Sequence, residues 1–154
     1  QWDEKKLVDY RRHLSAAANQ AGVTMNFSNR THYFNSHKAH RLMHWCERFD
    51  RQQEMKELLM DAYFSQGLNI GETQVLLNLV KKLGLDDLLA EEELESTLIE
   101  QQIQEKIERV RRLSLPSVPS FIFNKDTLIT GSHSVEYFKQ VIQGFEIRQA
   151  ASSF

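Results

Sequence analysis

A chain of 154 residues, 41% apolar and 10% aromatic, has the size and composition of one ordinary globular domain and is too apolar to be disordered. Its 19 basic and 21 acidic residues nearly balance, at a formal charge of −2, so there is no electrostatic case for nucleic acid or an anionic membrane as partner. Apolar runs of a few residues exclude a membrane-spanning helix, and a single cysteine, Cys46, excludes an internal disulfide.

Leu7, Tyr10, Leu14 and Ala17 or Ala18 recur at three- and four-residue steps, which predicts a helix over 3–21 that Gly22 stops. The stretch VTMNFSNRTHYF alternates only loosely and carries turn residues, so it reads as an irregular connection. Ser36 is the expected cap of a helix bearing Ala39, Leu42, Met43, Cys46 and Phe49. A further helix carries Met55, Leu58, Leu59, Ala62, Tyr63 and Phe64, and the glycines of SQGLNIGE break it. Glu72 or Thr73 opens the next helix, through Val75, Leu76, Leu79 and Val80, and Gly84 closes it. Asp86 or Asp87 caps a segment that reads as helical through EEELESTLIEQQIQEKIERVRRL, supported by i, i+4 pairs such as Glu105–Arg109.

The character changes at Ser114. PSFIF is a short β-rich run, NKD is turn chemistry, and TLIT is the expected second strand of a hairpin. Ser132 or Ser134 caps a last helix with Val135, Phe138, Val141, Ile142 and Phe145 on its apolar side. A lone hairpin is marginal in water, so its second face and at least one edge require partners.

Several residues invite a chemical reading. His37, His40 and His44 share one side of a helix, and the last two, four apart, have the spacing of a zinc pair. No carboxylate or second-helix ligand is identifiable for them from the sequence, and Cys46 points elsewhere on the helical wheel, so hydrogen-bonded histidines are the expectation and no metal is assigned. Cys46 reads as a small buried hydrophobe. Trp45, Phe49, Tyr63 and Phe64 read as helical core. Met25, Met43, Met55 and Met60 suit irregular packing or a peptide-accepting groove.

Both prolines of the chain, Pro116 and Pro119, lie within four residues, immediately before Phe121-Ile122-Phe123. SVPSFIFNKDTLITGSHSVEYF resembles the C-terminal part of a thioredoxin-fold protein, in which a cis-proline precedes a strand, a hairpin follows, and a glycine leads into the final helix. Together with NSHKAHRLMHW and LLMDAYFSQGLNIGETQVLLNLVKKLGLD, in that order, the chain resembles the DsbA-like thiol oxidoreductases of the FrnE type. The resemblance runs from about Ser28 to about Val141. It implies an α/β thioredoxin-like fold with a large helical insertion: residues 1–35 leading in, 36–113 the inserted helices, and 114–154 the hairpin and helix of the thioredoxin-like part.

By the same resemblance, Pro119 matches the family's cis-proline, Val118 the residue whose backbone pairs with substrate, and Gly131 the glycine after the second strand; His40 and Arg41 fall on the family's helix motif and are given a packing role. The family's chemistry resides in a Cys-x-x-Cys pair, which this sequence lacks. The expectation is a C-terminal portion of a longer oxidoreductase, without a dithiol or a cofactor of its own. It acts on protein or small thiol and disulfide substrates, glutathione among them, with a homodimer open. The compartment expected is cytoplasmic, with export to the periplasm left open. Two alternatives stand beside this reading. One is a glutathione-dependent isomerase or transferase of the kappa or 2-hydroxychromene-2-carboxylate isomerase type, and the other is a non-catalytic helical interaction module.

Overall fold

The computed structural model describes residues 3–151, with side chains described through Phe145. The chain divides after Lys106 into two compact units.

The first unit is helical. Helix α1 spans Glu4–Gln20, with Asp3 as its cap. Its face is only partly used: Ala18 is buried and Leu7 and Leu14 are half-buried, while Tyr10 stays exposed. Gly22, in the left-handed region at φ 73°, turns the chain out of the helix. Helix α2 spans His37–Cys46. Ser36 occupies its cap position but makes no side-chain cap bond; Asn35 Oδ1 accepts from His37 N at 2.9 Å instead. A 3₁₀ turn, Glu47–Phe49, follows, and Phe49 is exposed, edge-on to the buried Trp45 ring.

Helix α3, Gln52–Met60, passes into a π-helical turn, Asp61–Ser65, rather than ending. Asn26 N donates to Phe64 O at 2.7 Å and Ser65 Oγ to Thr24 O at 3.0 Å, so the loop after α1 occupies backbone groups of that turn. Helix α4 is Thr73–Lys82. Helix α5 is Asp87–Leu94, with Asp86 accepting from the N–H groups of Leu88 and Leu89. The expected continuous helix is interrupted at Glu95–Ser96, and α6 runs over Thr97–Arg112. Ser96 Oγ accepts from Ile99 N, which gives the second segment its own start.

Helix α2 packs on α3, α4 and α5. Leu42, Trp45, Met55, Leu76, Val80, Leu94 and Ile99 fill the space between helices. At about 2–5 kcal/mol for each large aliphatic side chain truncated, this core holds the first unit together.

The second unit is simpler. Strand β1, Ser120–Phe123, pairs antiparallel with β2, Thr127–Thr130, across a loop in which Asn124 and Lys125 take positive φ. Asparagine tolerates that region, as the NKD turn signal anticipated. Helix α7, Val135–Ala151, follows, and Ser134 Oγ accepts from Tyr137 N at 3.2 Å. Phe138 stands 4.7 Å from Phe121 and 6.3 Å from Phe123, ring centre to ring centre, and Phe145 stands 5.8 Å from Phe123. Those contacts cover one face of the hairpin. Ile122 and Leu128, directly opposite each other on the other face, are 46% and 43% exposed.

Candidate functional site

The Val118–Pro119 peptide bond is cis. Pro119 O accepts from Gly131 N at 2.8 Å, which extends the ladder one residue beyond β1, and Gly131 reaches that bond with φ 85°, a conformation suited to glycine. This bond makes 119 and 131 a hydrogen-bonded pair. Antiparallel alternation then makes 121/129 and 123/127 the other such pairs. Ser120 and Ile122 therefore direct their N–H and C=O groups away from β2, to the outer edge of β1. Among the described residues the sheet has two strands, so that edge has no neighbour.

Val118 sits at the head of this edge. It is 89% exposed, the highest value among the exposed large apolar side chains, and makes no hydrogen bond among the described residues. The preceding turn is held by Ser120 Oγ donating to Ser117 O. After Gly131, His133 Nε2 bonds to Thr130 O at 3.0 Å, and its ring stacks on Tyr137 with centres 4.3 Å apart. Chemically, the arrangement offers a strand edge, unpaired among the described residues, with an exposed valine two residues before it. An extended peptide can add to such an edge through main-chain hydrogen bonds.

The other residues singled out in the sequence take structural positions. Cys46 closes α2 rather than lying in mid-helix, is fully buried, and has its thiol pushed up to about 11 by that burial. At neutral pH it is a protonated, inaccessible thiol. His37 Nε2 lies 2.7 Å from Glu100 Oε2, and His44 Nε2 lies 2.9 Å from Gln102 Oε1, both reaching across from α2 to α6. Among the described residues there is no group of three or more His, Cys, Asp or Glu arranged to hold a metal. His40 is exposed rather than packed. Arg41 has the tighter role: 11% exposed, it donates to Glu100 Oε2 at 2.9 Å and to Ser96 O at 2.7 Å.

A polar seam between α2 and α6 was not visible in the sequence. Glu100 takes His37, Arg41 and Gln104, and its carboxyl is held below the usual range chiefly by the Gln104 and His37 hydrogen bonds. Glu47, bonded by Lys106 at 2.9 Å, is lowered mainly by that contact. The Glu105–Arg109 pair is not among the ion pairs of the described residues; Glu108–Arg111 is. Also unforeseen is the Arg30 guanidinium, 4.8–5.4 Å from the ring centres of Phe27, Tyr33, Tyr63 and Phe64. It pins the loop after α1 to the π-helical turn.

With this geometry in hand, residues 3–143 match the family model of the DSBA-like thioredoxin domain. Over 141 residues the chain is 26% identical to a Bacillus subtilis (strain 168) protein described as "Uncharacterized protein YwbO", an alignment spanning 91% of this chain and 70% of that protein.

Proposed function

The chain belongs to the DSBA-like thioredoxin domain family, and from that premise we propose that it serves thiol–disulfide exchange by holding an extended substrate segment on the outer edge of β1. The observation that carries the reading is the edge of Ser120 and Ile122, unpaired among the described residues, with Val118 at 89% exposure beside it. Main-chain hydrogen bonds supply the affinity in this mode of recognition, and side chains beside the edge supply selectivity. Val118 and the bare Ile122/Leu128 face give that selectivity an apolar character.

The exchange step itself needs a thiolate that attacks a disulfide sulfur, with the second sulfur leaving as thiolate. Cys46 does not supply it, since it is buried and protonated. In this reading these 154 residues do not themselves supply the attacking thiolate, and the chain contributes substrate positioning. The partners are protein or small thiols and disulfides, with the cytoplasm as the compartment.

Calorimetry with a short extended apolar peptide, and with the same peptide N-methylated at alternate residues, tests the reading. The unmodified peptide binds and the methylated one does not, because methylation removes the donors a strand needs. Equal binding of the two would refute edge pairing. Glutathione titrated in the same cell separates the glutathione-dependent alternative, which requires saturable heat with the tripeptide and none with the longer peptide.

A further inference from the structure

A cavity of about 200 Å³ lies in the cleft between α2 and α3, floored by Ile70. Ala39, Met43, Leu59, Met60, Tyr63 and Phe64 make its walls, so its lining is mainly apolar. Its few polar groups are Ser36, His40, Lys56 and the Tyr63 hydroxyl, and no carboxylate lines it. Clefts between helices with apolar walls and a few convergent polar groups are where small ligands bind, and this volume lies below the roughly 300–1,000 Å³ of sites for larger ones.

Lys56 decides the chemistry of the occupant. Lys38, Lys81 and Lys106 all hold carboxylates, of Glu95, Asp87 and Glu47. The side chains of Lys56 and His40 have no hydrogen-bond or ion-pair partner among the described residues. An unneutralised ammonium at the rim of an apolar cavity complements an anion with an apolar body. The wall opposite α2 is the π-helical turn, a rare geometry that occurs often at functional sites, and it brings Tyr63 and Phe64 into the lining. Met43 and Met60, unbranched and adaptable, can mould to a flexible tail.

A second cavity, of about 670 Å³, shares Lys56, Met60 and Phe64 with the first but adds Glu57 and Asp61. Those carboxylates are already bonded by Gln53 and Gln66, and they would repel an anion. The smaller cavity is therefore the one suited to a negative ligand.

We propose that the α2/α3 cleft is a binding site for a small amphipathic carboxylate, its tail against Met43, Leu59, Met60 and Phe64 and its carboxylate on Lys56. The site lies wholly within residues 36–70 and does not depend on the strand-edge reading.

Octanoate and octan-1-ol, which share a tail and differ in charge, are the probes. Both are titrated into the 154-residue chain with isotope-labelled methionine methyls. Octanoate moves Met43 and Met60 saturably and leaves Met55, which is fully buried and outside the cavity lining, in place. It binds about fivefold more tightly than octan-1-ol, the upper end of what one exposed ion pair contributes. Lys56→Met abolishes that preference, and Lys56→Glu makes octanoate the weaker ligand, both with the parent's circular dichroism and thermal midpoint. Equal affinity for the two probes in the parent, a preference that survives Lys56→Glu, or shifts at Met25 without Met43 would each overturn the proposal, as would no saturable shift at all.

Discussion

Cys46 closes α2 with no exposed surface, and its buried thiol is pushed up to about 11. An unhindered thiol at 9.0 is about 10% thiolate at pH 8, whereas one near 11 is about 0.1%; the greater nucleophilicity of the more basic thiolate offsets part of that, so chemistry alone slows its reaction with a disulfide reagent about tenfold. Burial adds to this, because the reagent reaches the sulfur only when α2 opens locally. Ellman's reagent at pH 8, with the native chain and then with the chain in denaturant, reads both effects. The native rate is at least a hundredfold below the denatured rate. A ratio under ten would mean a reachable thiolate, and the assignment of Cys46 to structure would fail. The same shift has a stability sign. A thiol raised on folding adds stability that is complete below the unfolded value of 9.0 and is lost as pH rises through about 11. Over those two units the loss is about 2–3 kcal/mol, and Cys46→Ala removes that alkaline slope.

Gly67 sits at φ 72°, and a Cβ there would lie 2.3 Å from Asn29 O, so Gly67→Ala destabilises by more than the ~1 kcal/mol of the left-handed conformation alone, read by chemical denaturation. Arg41→Ala severs the contacts of α2 with Glu100 and Ser96 and costs about 2–3 kcal/mol, while Lys38→Ala, at a more exposed pair, costs under about 1 kcal/mol. Glu47 and Glu100 are held below the ordinary carboxylate value, so they contribute stability above about pH 4.3 that is lost as pH falls through their lower folded values. Lys106→Met therefore flattens the acid limb of a denaturation series. Phe138→Ala strips the covered face of the hairpin and costs about 2–3 kcal/mol of second-unit stability; Ile122→Thr, on the bare face, changes it by less than about 0.5 kcal/mol.

What the sequence made legible was local. The hairpin rests on Asn124 and the β-branched and aromatic runs around it, all within a dozen residues. The helices rest on apolar spacing, and Asp86 and Ser134 act as caps where capping residue types stood. The break at Glu95–Ser96 is hidden by the Glu- and Leu-rich run before it, which favours helix, although Ser96 before an apolar-periodic run is a usable start signal. The π-helical turn has no local sequence signal, and its contacts with Thr24 and Asn26 lie about forty residues earlier in the chain. The same holds for the α2–α6 seam: Arg41 and Glu100 are 59 residues apart, and no local pattern pairs them. Val118 and Pro119 stood out through resemblance and the clustering of both prolines. That Ser120 and Ile122 carry the free backbone groups required the register.

The most direct measurement is the backbone amide spectrum of the labelled chain during titration with the extended apolar peptide. Ser120 and Ile122, whose N–H groups point outward, shift and gain protection from hydrogen exchange, while Phe121 and Phe123, already bonded to β2, move little. Val118→Asp keeps the fold and weakens the effect. Shifts at Phe121 and Phe123 with Ser120 and Ile122 unmoved, or a peptide that binds without touching β1, would contradict the strand-edge account.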